Sequence, residues 1–68
     1  MSDHIYKIIE IVGSSTKSHD DAIRNAVAKA AEGNEHLNWY EVKELRGHIK
    51  AGAIAHYQAV IRVGYRLE

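Results

Sequence analysis

The side chains with the clearest chemical potential lie on two apolar segments near the carboxyl end. Trp39 is the only tryptophan of the chain, and Gln58 lies on the second segment. If the two segments form a hairpin, both side chains fall on one largely polar face. An indole can stack on a planar ligand, and an amide offers a donor and an acceptor to the ligand's edge. The indole is equally consistent with burial in a subunit interface, where tryptophan is enriched.

Nucleophilic catalysis and metal binding find little support in the sequence. The five histidines are scattered, and the hairpin register derived below places His48 and His56 on opposite faces. Ser14 and Ser15 form no recognisable triad with any histidine. Cysteine is absent, which excludes disulfides and thiolate zinc sites. We therefore predict no catalytic residue and no metal site.

Length and charge limit the class of protein. The 68 residues form one small domain, 1–68, which is marginally stable alone, so we expect it to oligomerise. Nine basic residues balance nine acidic ones, which gives no electrostatic reason to bind nucleic acid. No apolar run approaches the ~20 residues of a membrane span, and the first residues lack the apolar stretch of a signal peptide. We predict a cytoplasmic protein with no membrane partner.

The first half of the chain predicts a strand followed by a helix. Residues 4–12 are rich in β-branched and aromatic side chains, and the strand is expected to end at Gly13. Ser18 has the features of a helix N-cap, with Asp21 in the capping-box position. Small apolar residues recur at helical spacing from Ala22 onward, and Gly33 is expected to end the helix. Isoleucines on both faces of the strand indicate that both faces become covered.

The second half predicts a β-hairpin over 37–67 with Ala51 and Gly52 in its loop. This register places Trp39 opposite Gly64 and pairs opposite charges on Glu41 and Arg62. The apolar side is predicted to take the helix; it carries Tyr40, Val42, Tyr57, Ala59, Ile61, Val63, Tyr65 and Leu67. The other side carries Trp39, Glu41, Lys43, Gln58, Arg62 and Arg66.

These elements predict an α+β fold of β-α-β-β order. The last strand is the longest and most apolar, so we place it at the centre of a three-stranded antiparallel sheet of order 1-3-2. The helix then crosses from the first strand to the second and covers one face of the sheet. The face that carries Trp39 stays bare within one chain, so its covering must come from a ligand or another subunit.

Several stretches of the chain closely resemble the dodecins, and together they cover essentially its whole length. The stretches are YKIIEIVGSS (6–15), LNWYEV (37–42), RGHI (46–49), HYQ (56–58) and VGYRLE (63–68). Dodecins are small β-α-β-β flavoproteins that assemble as hollow dodecamers. The resemblance therefore implies a homododecamer that holds flavins between tryptophans of neighbouring subunits.

The resemblance also implies roles for individual residues. Trp39 would stack on the isoalloxazine and Gln58 would hydrogen-bond its polar edge, while Arg46 and Lys7 would make further flavin contacts. FMN is the first expectation, with FAD and riboflavin as alternatives. Possible coenzyme A contacts near subunit junctions would involve Arg66 and Lys29. The hairpin register predicted above places Arg46 on the helix side. A flavin contact would therefore need a bulge near Glu44–Leu45, or would be made by the backbone of Arg46.

The function implied is binding without turnover: flavin storage, buffering and photoprotection through quenching by tryptophan. A ligand-free structural or interaction oligomer is the alternative, and it would leave the purified protein colourless. A flavin-dependent oxidoreductase is a further alternative, but no acid or base stands out in the sequence beside Trp39.

Overall fold

The computed structural model describes residues 3–67 and confirms the predicted order of elements. Strand β1 spans Tyr6–Ser15, helix α1 spans His19–Ala31, strand β2 spans Leu37–Lys50 and strand β3 spans Ala53–Arg66. The strands form one antiparallel sheet in the order β1-β3-β2. The helix lies on one face of this sheet, so the α+β prediction is correct.

The helix begins and ends where the sequence predicts. The Ser18 hydroxyl accepts a hydrogen bond from the Asp21 backbone N–H at 3.0 Å, which satisfies one of the free donors of the first turn. The Asp21 carboxylate accepts a 2.7 Å hydrogen bond from the hydroxyl of Ser15, so it ties the helix start to β1. Gly33 follows the helix with a φ of +79°, the left-handed conformation that glycine tolerates.

Strand β1 is longer than predicted and shifted toward the carboxyl end. The prediction ended it at Gly13, whereas pairing with β3 continues to Ser15 opposite Tyr57. Gly13 lies inside the strand, paired with Ala59. Its lack of a side chain allows the helix to approach closely. A Cβ at this position would lie 2.0 Å from the Ala22 carbonyl oxygen and 2.8 Å from the Ala26 Cβ. The glycine is therefore a packing residue between the edge strand β1 and the helix.

The hairpin loop consists of Ala51 and Gly52, as predicted, with Lys50 paired to Ala53. Both loop residues have positive φ, +53° and +78° respectively. Positive φ at both central positions is the geometry of a type I′ turn, whose twist matches that of the flanking strands. Ala51 adopts this conformation despite its Cβ, which costs about 1 kcal/mol.

The predicted hairpin register is correct at both ends and wrong in the middle. It holds from Trp39 opposite Gly64 to Val42 opposite Ile61. A bulge between Val42 and Glu44 then shifts the pairing by one residue, and a second shift after His48 restores it. The pairs that were misplaced are Leu45 with Ala59, Arg46 with Gln58, and His48 with His56. A one-residue shift moves each side chain of β2 in this stretch to the opposite face.

The core is small and lies between α1, β1 and β3. It is made of five buried residues, with partly buried isoleucines of β1 around them: Ala22, Ala26, Ala59, Ile61 and Val63. The prediction that Tyr40 and Val42 would also pack under the helix is wrong. They remain 51% and 44% exposed because the helix covers the β1 and β3 side of the sheet and, apart from Leu37, leaves β2 uncovered.

The single chain is unusually extended. Its radius of gyration is 14.2 Å and its extents are 56 × 20 × 13 Å. A compact domain of this length has a radius of gyration of about 11 Å. The excess comes from the hairpin, since β1 pairs with β3 only as far as Tyr57 and leaves a two-stranded ribbon beyond it. An isolated two-stranded ribbon is marginal in water, so this arm requires a partner surface.

Among residues 3–67, no helix has the length and apolar character needed to cross a membrane.

Candidate functional site

The candidate site lies on the outer face of the sheet, defined here as the face opposite α1. Trp39 projects from β2 onto this face and its ring lies over Gly64 of β3. A Cβ added to Gly64 would fall within 2.0 Å of three carbons of the indole ring. The glycine thus gives the indole a flat seat on the backbone. Trp39 is still 42% exposed, so part of its aromatic surface is available to a ligand or another chain.

Tyr6 of β1 stands beside the indole. The two ring centroids are 6.1 Å apart and the ring planes differ by 22°, so the rings are close to parallel. Tyr6 is 46% exposed. The outer face therefore presents two adjacent aromatic rings at the end of the sheet where β3 ends at Arg66.

Gln58 and Arg46 lie side by side further along the same face. The bulge in β2 places Arg46 directly opposite Gln58 on the outer face, whereas the predicted register had placed Arg46 on the helix side. The Arg46 guanidinium is 3.8 Å from the Glu44 carboxylate. On the backbone side, the Arg46 carbonyl oxygen lies 3.0 Å from Nε2 of His19 at the start of the helix. The contact with His19 holds the backbone at Arg46, while the guanidinium is half-exposed beside Glu44.

Trp39 and Gln58 are far apart within one chain. Gly64, which seats the indole, is six residues from Gln58 along β3. At about 3.3 Å per residue the separation is about 20 Å. This exceeds the length of a fused three-ring system, so the two side chains of one subunit do not reach the same planar ligand.

The other predicted contact residues are spread over the chain. Lys7 lies opposite Tyr65 and alternates with Ile9 and Ile11, so it belongs to the helix side of β1 and not to the outer face. Arg66 is on the outer face opposite Tyr6. Lys29 is in the last helical turn and pairs with Glu32 at 3.2 Å. The structure thus brings Arg46 to Gln58 but does not bring Lys7, Arg66 and Lys29 together within one chain.

A charged cluster occupies the outer face between the two parts of the site. Glu10 lies 3.2 Å from the Lys43 ammonium and 3.4 Å from Nε of Arg62. Glu41 lies opposite Arg62, as predicted. The Arg62 guanidinium nevertheless donates its hydrogen bond to Glu10 of β1. Lys43, the extra residue of the bulge, bridges from β2 over β3 to β1 and links all three strands.

This cluster predicts an acid-dependent loss of stability. The hydrogen bond from Lys43, followed by the charge of Lys43 and the contacts of Arg62, holds the pKa of the Glu10 carboxyl below its usual 4.5. Because the pKa is lower in the folded state, the stabilisation is present above pH 4.5 and is lost as the pH falls through the folded pKa. We expect Glu10→Gln to lower the melting temperature at pH 7, and the difference from wild type to shrink below pH 4.5.

Glu35→Gln, in the connection after the helix, is the matched control for this thermal-melting series. A Glu10→Gln difference that stays constant from pH 7 to pH 3 would contradict the assigned role of the carboxylate.

Three features of the outer face were missed from the sequence. The contact of Tyr6 with Trp39 depends on the register of β1 against β3, which residue patterns do not give. The other two were missed because the bulge was not predicted. They are the Glu10–Lys43 ion pair and the cross-strand contact between His48 and His56. An available signal was the run Lys43-Glu44, two charged residues in succession where strict alternation would place one toward the core.

Comparison with known proteins matches the whole architecture. A family profile described as Dodecin matches residues 5–68. A dodecin of Thermus thermophilus is 45% identical over 64 residues, which is 94% of this chain and 93% of the relative.

Solved structures agree with the sequence comparison. The dodecin of Streptomyces coelicolor superposes with a TM-score of 0.94 at 44% identity, covering 100% of this chain and 97% of that one. The dodecin of Streptomyces davaonensis gives 0.92 at 43% identity, with 98% of each chain covered. The sheet order, the single helix and the sequence matches therefore lead to one conclusion: this chain belongs to the dodecin family.

Proposed function

We propose that this protein binds flavins in pockets between its subunits and stores them in a quenched, protected form. The observation that carries the proposal is the seat of Trp39 on Gly64, which offers an indole ring on a face that one chain leaves uncovered. Membership of the dodecin family supports the same ligand class. Stacking on the indole would provide most of the affinity, because isoalloxazine is planar and largely apolar.

The spacing of the site supports a pocket made by more than one chain. Since Trp39 and Gln58 of one subunit are about 20 Å apart along the sheet, a flavin that touches both takes them from different subunits. In the proposed pocket, one subunit supplies the stacking indole. Another supplies the amide that hydrogen-bonds the polar edge of the ring system. Binding and assembly are then linked.

The assembly itself is proposed to be a homododecamer. The chain leaves large apolar side chains exposed on both faces, on the ribbon and at the end of the sheet; they include Ile5, Ile8, Val12, Leu45, Ile49, Ile54 and Leu67. Their exposure in one chain, together with the extended shape, is what a subunit of a larger assembly shows. A groove of ≈ 420 Å³ between α1 and Tyr40 adds a further surface for a neighbouring subunit.

Arg46 is proposed to contact the flavin phosphate beside Gln58. A guanidinium recognises phosphate through charge-assisted, paired hydrogen bonds. This role favours FMN over riboflavin as the stored flavin, and FAD would use the same contact. Lys7 lies on the opposite face, so any flavin contact of its ammonium is made to a pocket that other subunits complete.

Coenzyme A is proposed as a second ligand at a subunit junction, with contacts from Arg66 and Lys29. The two cations lie on the outer face of β3 and on the helix, respectively. A ligand that touched both would therefore bridge neighbouring subunits. Lys29 would have to exchange its ion pair with Glu32 for the ligand's phosphate.

Binding without turnover agrees with the ionisable groups of the outer face. On the outer face, the contacts with Lys43 and Arg62 lower the pKa of the Glu10 carboxyl. A carboxyl whose pKa is lowered is a poor general base at neutral pH, and Lys43 and Arg62 already occupy it. An excited flavin stacked on tryptophan can instead be quenched by electron transfer from the indole, which protects it from photochemistry.

A fluorescence titration with FMN and riboflavin tests the proposal. We expect wild-type protein to quench both flavins, and Arg46→Gln to weaken FMN binding by about tenfold, the value of one charge-assisted hydrogen bond to phosphate. Riboflavin binding should change much less, since riboflavin has no phosphate. Lys50→Gln, at the end of the same strand, is the matched control.

Failure of the wild-type protein to quench either flavin would overturn the proposal and favour a ligand-free structural oligomer. Oxidation of a reduced nicotinamide by the flavin-loaded protein would instead favour an oxidoreductase.

A further inference from the structure

The bulge in β2 brings two histidines together on the outer face of the ribbon. His48 of β2 and His56 of β3 are direct cross-strand partners, with ring centroids 6.1 Å apart and ring planes inclined by 32°. Both residues are exposed in the single chain. We name them the imidazole pair. The pair lies one step beyond Arg46 and Gln58 on the same face, where β1 no longer covers the edge of β3.

The separation of the rings suits a shared metal ion. With a metal–nitrogen distance of about 2.0–2.1 Å, a coordinated imidazole has its centroid about 3.2 Å from the metal. Two such rings have centroids about 5.2 Å apart at a tetrahedral angle and about 6.4 Å apart when they oppose each other. The observed 6.1 Å lies between these limits, so the two rings have the separation that a shared ion requires.

The surroundings decide which ion the pair accepts. In the part of the chain that the structure describes, no group of three or more histidine, aspartate or glutamate side chains converges to hold a metal. The pair therefore provides two nitrogen ligands and leaves the remaining positions to water or to a neighbouring chain. Imidazole ligands favour zinc, copper and nickel, whereas calcium and magnesium require oxygen ligands. The nearest cation on this face, Arg46, is balanced by Glu44 at 3.8 Å.

We propose that His48 and His56 chelate a divalent transition-metal ion, with Zn²⁺ as the representative ion. The proposal does not rest on the proposed flavin function, because the two imidazoles themselves supply the metal ligands. Its structural effect is to clamp the two strands of the ribbon just beyond the end of β1. The clamp also fixes Arg46 and Gln58, which are the adjacent cross-strand pair on the same face.

Isothermal titration of the assembled protein with ZnCl₂ tests the site. We expect wild-type protein to bind Zn²⁺, and His48→Thr and His56→Thr each to weaken that binding by at least about tenfold, since even outer-shell partners of metal ligands are worth that much. Threonine is chosen because a β-branched residue suits an exposed strand. His36→Thr, in the connection before β2, is the matched control and should bind Zn²⁺ like wild type.

No Zn²⁺ binding by the wild-type protein would overturn the proposal, and so would equal binding by the wild type and both strand variants. Loss of binding in His36→Thr alone would assign the metal to another place.

A measurement on unaltered protein keeps the test independent of variant folding. Crystals grown with ZnCl₂ should show an anomalous-scattering peak between the two imidazoles. Peaks found only at other positions would overturn the proposal. Zn²⁺ titration and flavin quenching are separate measurements. A His48→Thr protein that binds Zn²⁺ weakly but still quenches flavin would support both proposals, so failure of one can be told from failure of the other.

Discussion

Trp39→Ala is expected to lose most of the flavin affinity while the subunits still assemble. Stacking of a planar base on an aromatic side chain is worth about 1–3 kcal/mol, so we expect affinity to fall roughly 10–100-fold. Quenching of the flavin that still binds should also decrease, because the indole is the electron donor. Fluorescence titration with FMN measures both effects, and size-exclusion chromatography checks the assembly.

Gly64→Ala tests the same stacking role of Trp39 without removing the indole. The new Cβ would lie within 2.0 Å of indole carbons, so the ring must leave its seat. Trp39 is half-exposed and can swing away, so the fold should survive. We expect flavin affinity to fall nearly as much as in Trp39→Ala, although the indole is still present.

Trp39→Phe is the conservative control for both variants and should bind flavin with intermediate affinity. A Trp39→Ala protein that titrates like wild type would contradict the stacking platform. Normal binding by Gly64→Ala would show that the seat is not needed.

Gly13→Ala is expected to have the largest effect on stability. A Cβ at residue 13 would lie 2.0 Å from the Ala22 carbonyl oxygen, a backbone atom that cannot move without the helix. Overpacking of this kind costs typically 1–3 kcal/mol, and we expect a value near 3 kcal/mol because the clash is with backbone. For a domain of this size, that corresponds to a melting temperature at least about 12 °C lower.

Ser14→Ala is the matched control for Gly13→Ala, because residue 14 is exposed and on the other face of β1. Thermal unfolding followed by circular dichroism should show little change in this control. If Gly13→Ala melts within a few degrees of wild type, the close contact between α1 and β1 is not as described.

The backbone order of this fold was predictable because each element carries a strong local signal. Ser18 and Gly33 mark the helix limits, and the glycine at 52 marks the hairpin loop. The sheet order followed from β3 being the most apolar strand, and its buried residues Ile61 and Val63 confirm its central place.

The middle of β2 was not predicted because the one signal of the bulge, the consecutive charges of Lys43 and Glu44, is also typical of an ordinary exposed strand. Residues 42–44 include no proline or glycine, which often accompany an irregularity, and Lys43 has the character of an ordinary outward-facing residue. The error reversed the faces assigned to Leu45, Arg46 and His48. The dodecin resemblance required Arg46 near the ligand, so it indicated a bulge in this stretch although the residue pattern alone did not.

The sequence also did not show how much of the sheet the helix covers. The apolar side of the hairpin predicted a single core, but a 13-residue helix whose apolar residues are mostly alanine covers β1 and β3 and reaches only Leu37 of β2. Tyr40 and Val42 stay exposed as a consequence. An apolar pattern shows that a side chain becomes buried, but it does not distinguish burial under the chain's own helix from burial against another subunit.

Native mass spectrometry of the protein with FMN tests the central claim, a flavin pocket made between subunits, most directly. We expect one dodecameric species that carries bound FMN, and release of the FMN when the assembly is dissociated into single chains. A monomer that binds FMN and quenches it would contradict the shared pocket. A dodecamer that takes up no flavin would contradict the ligand.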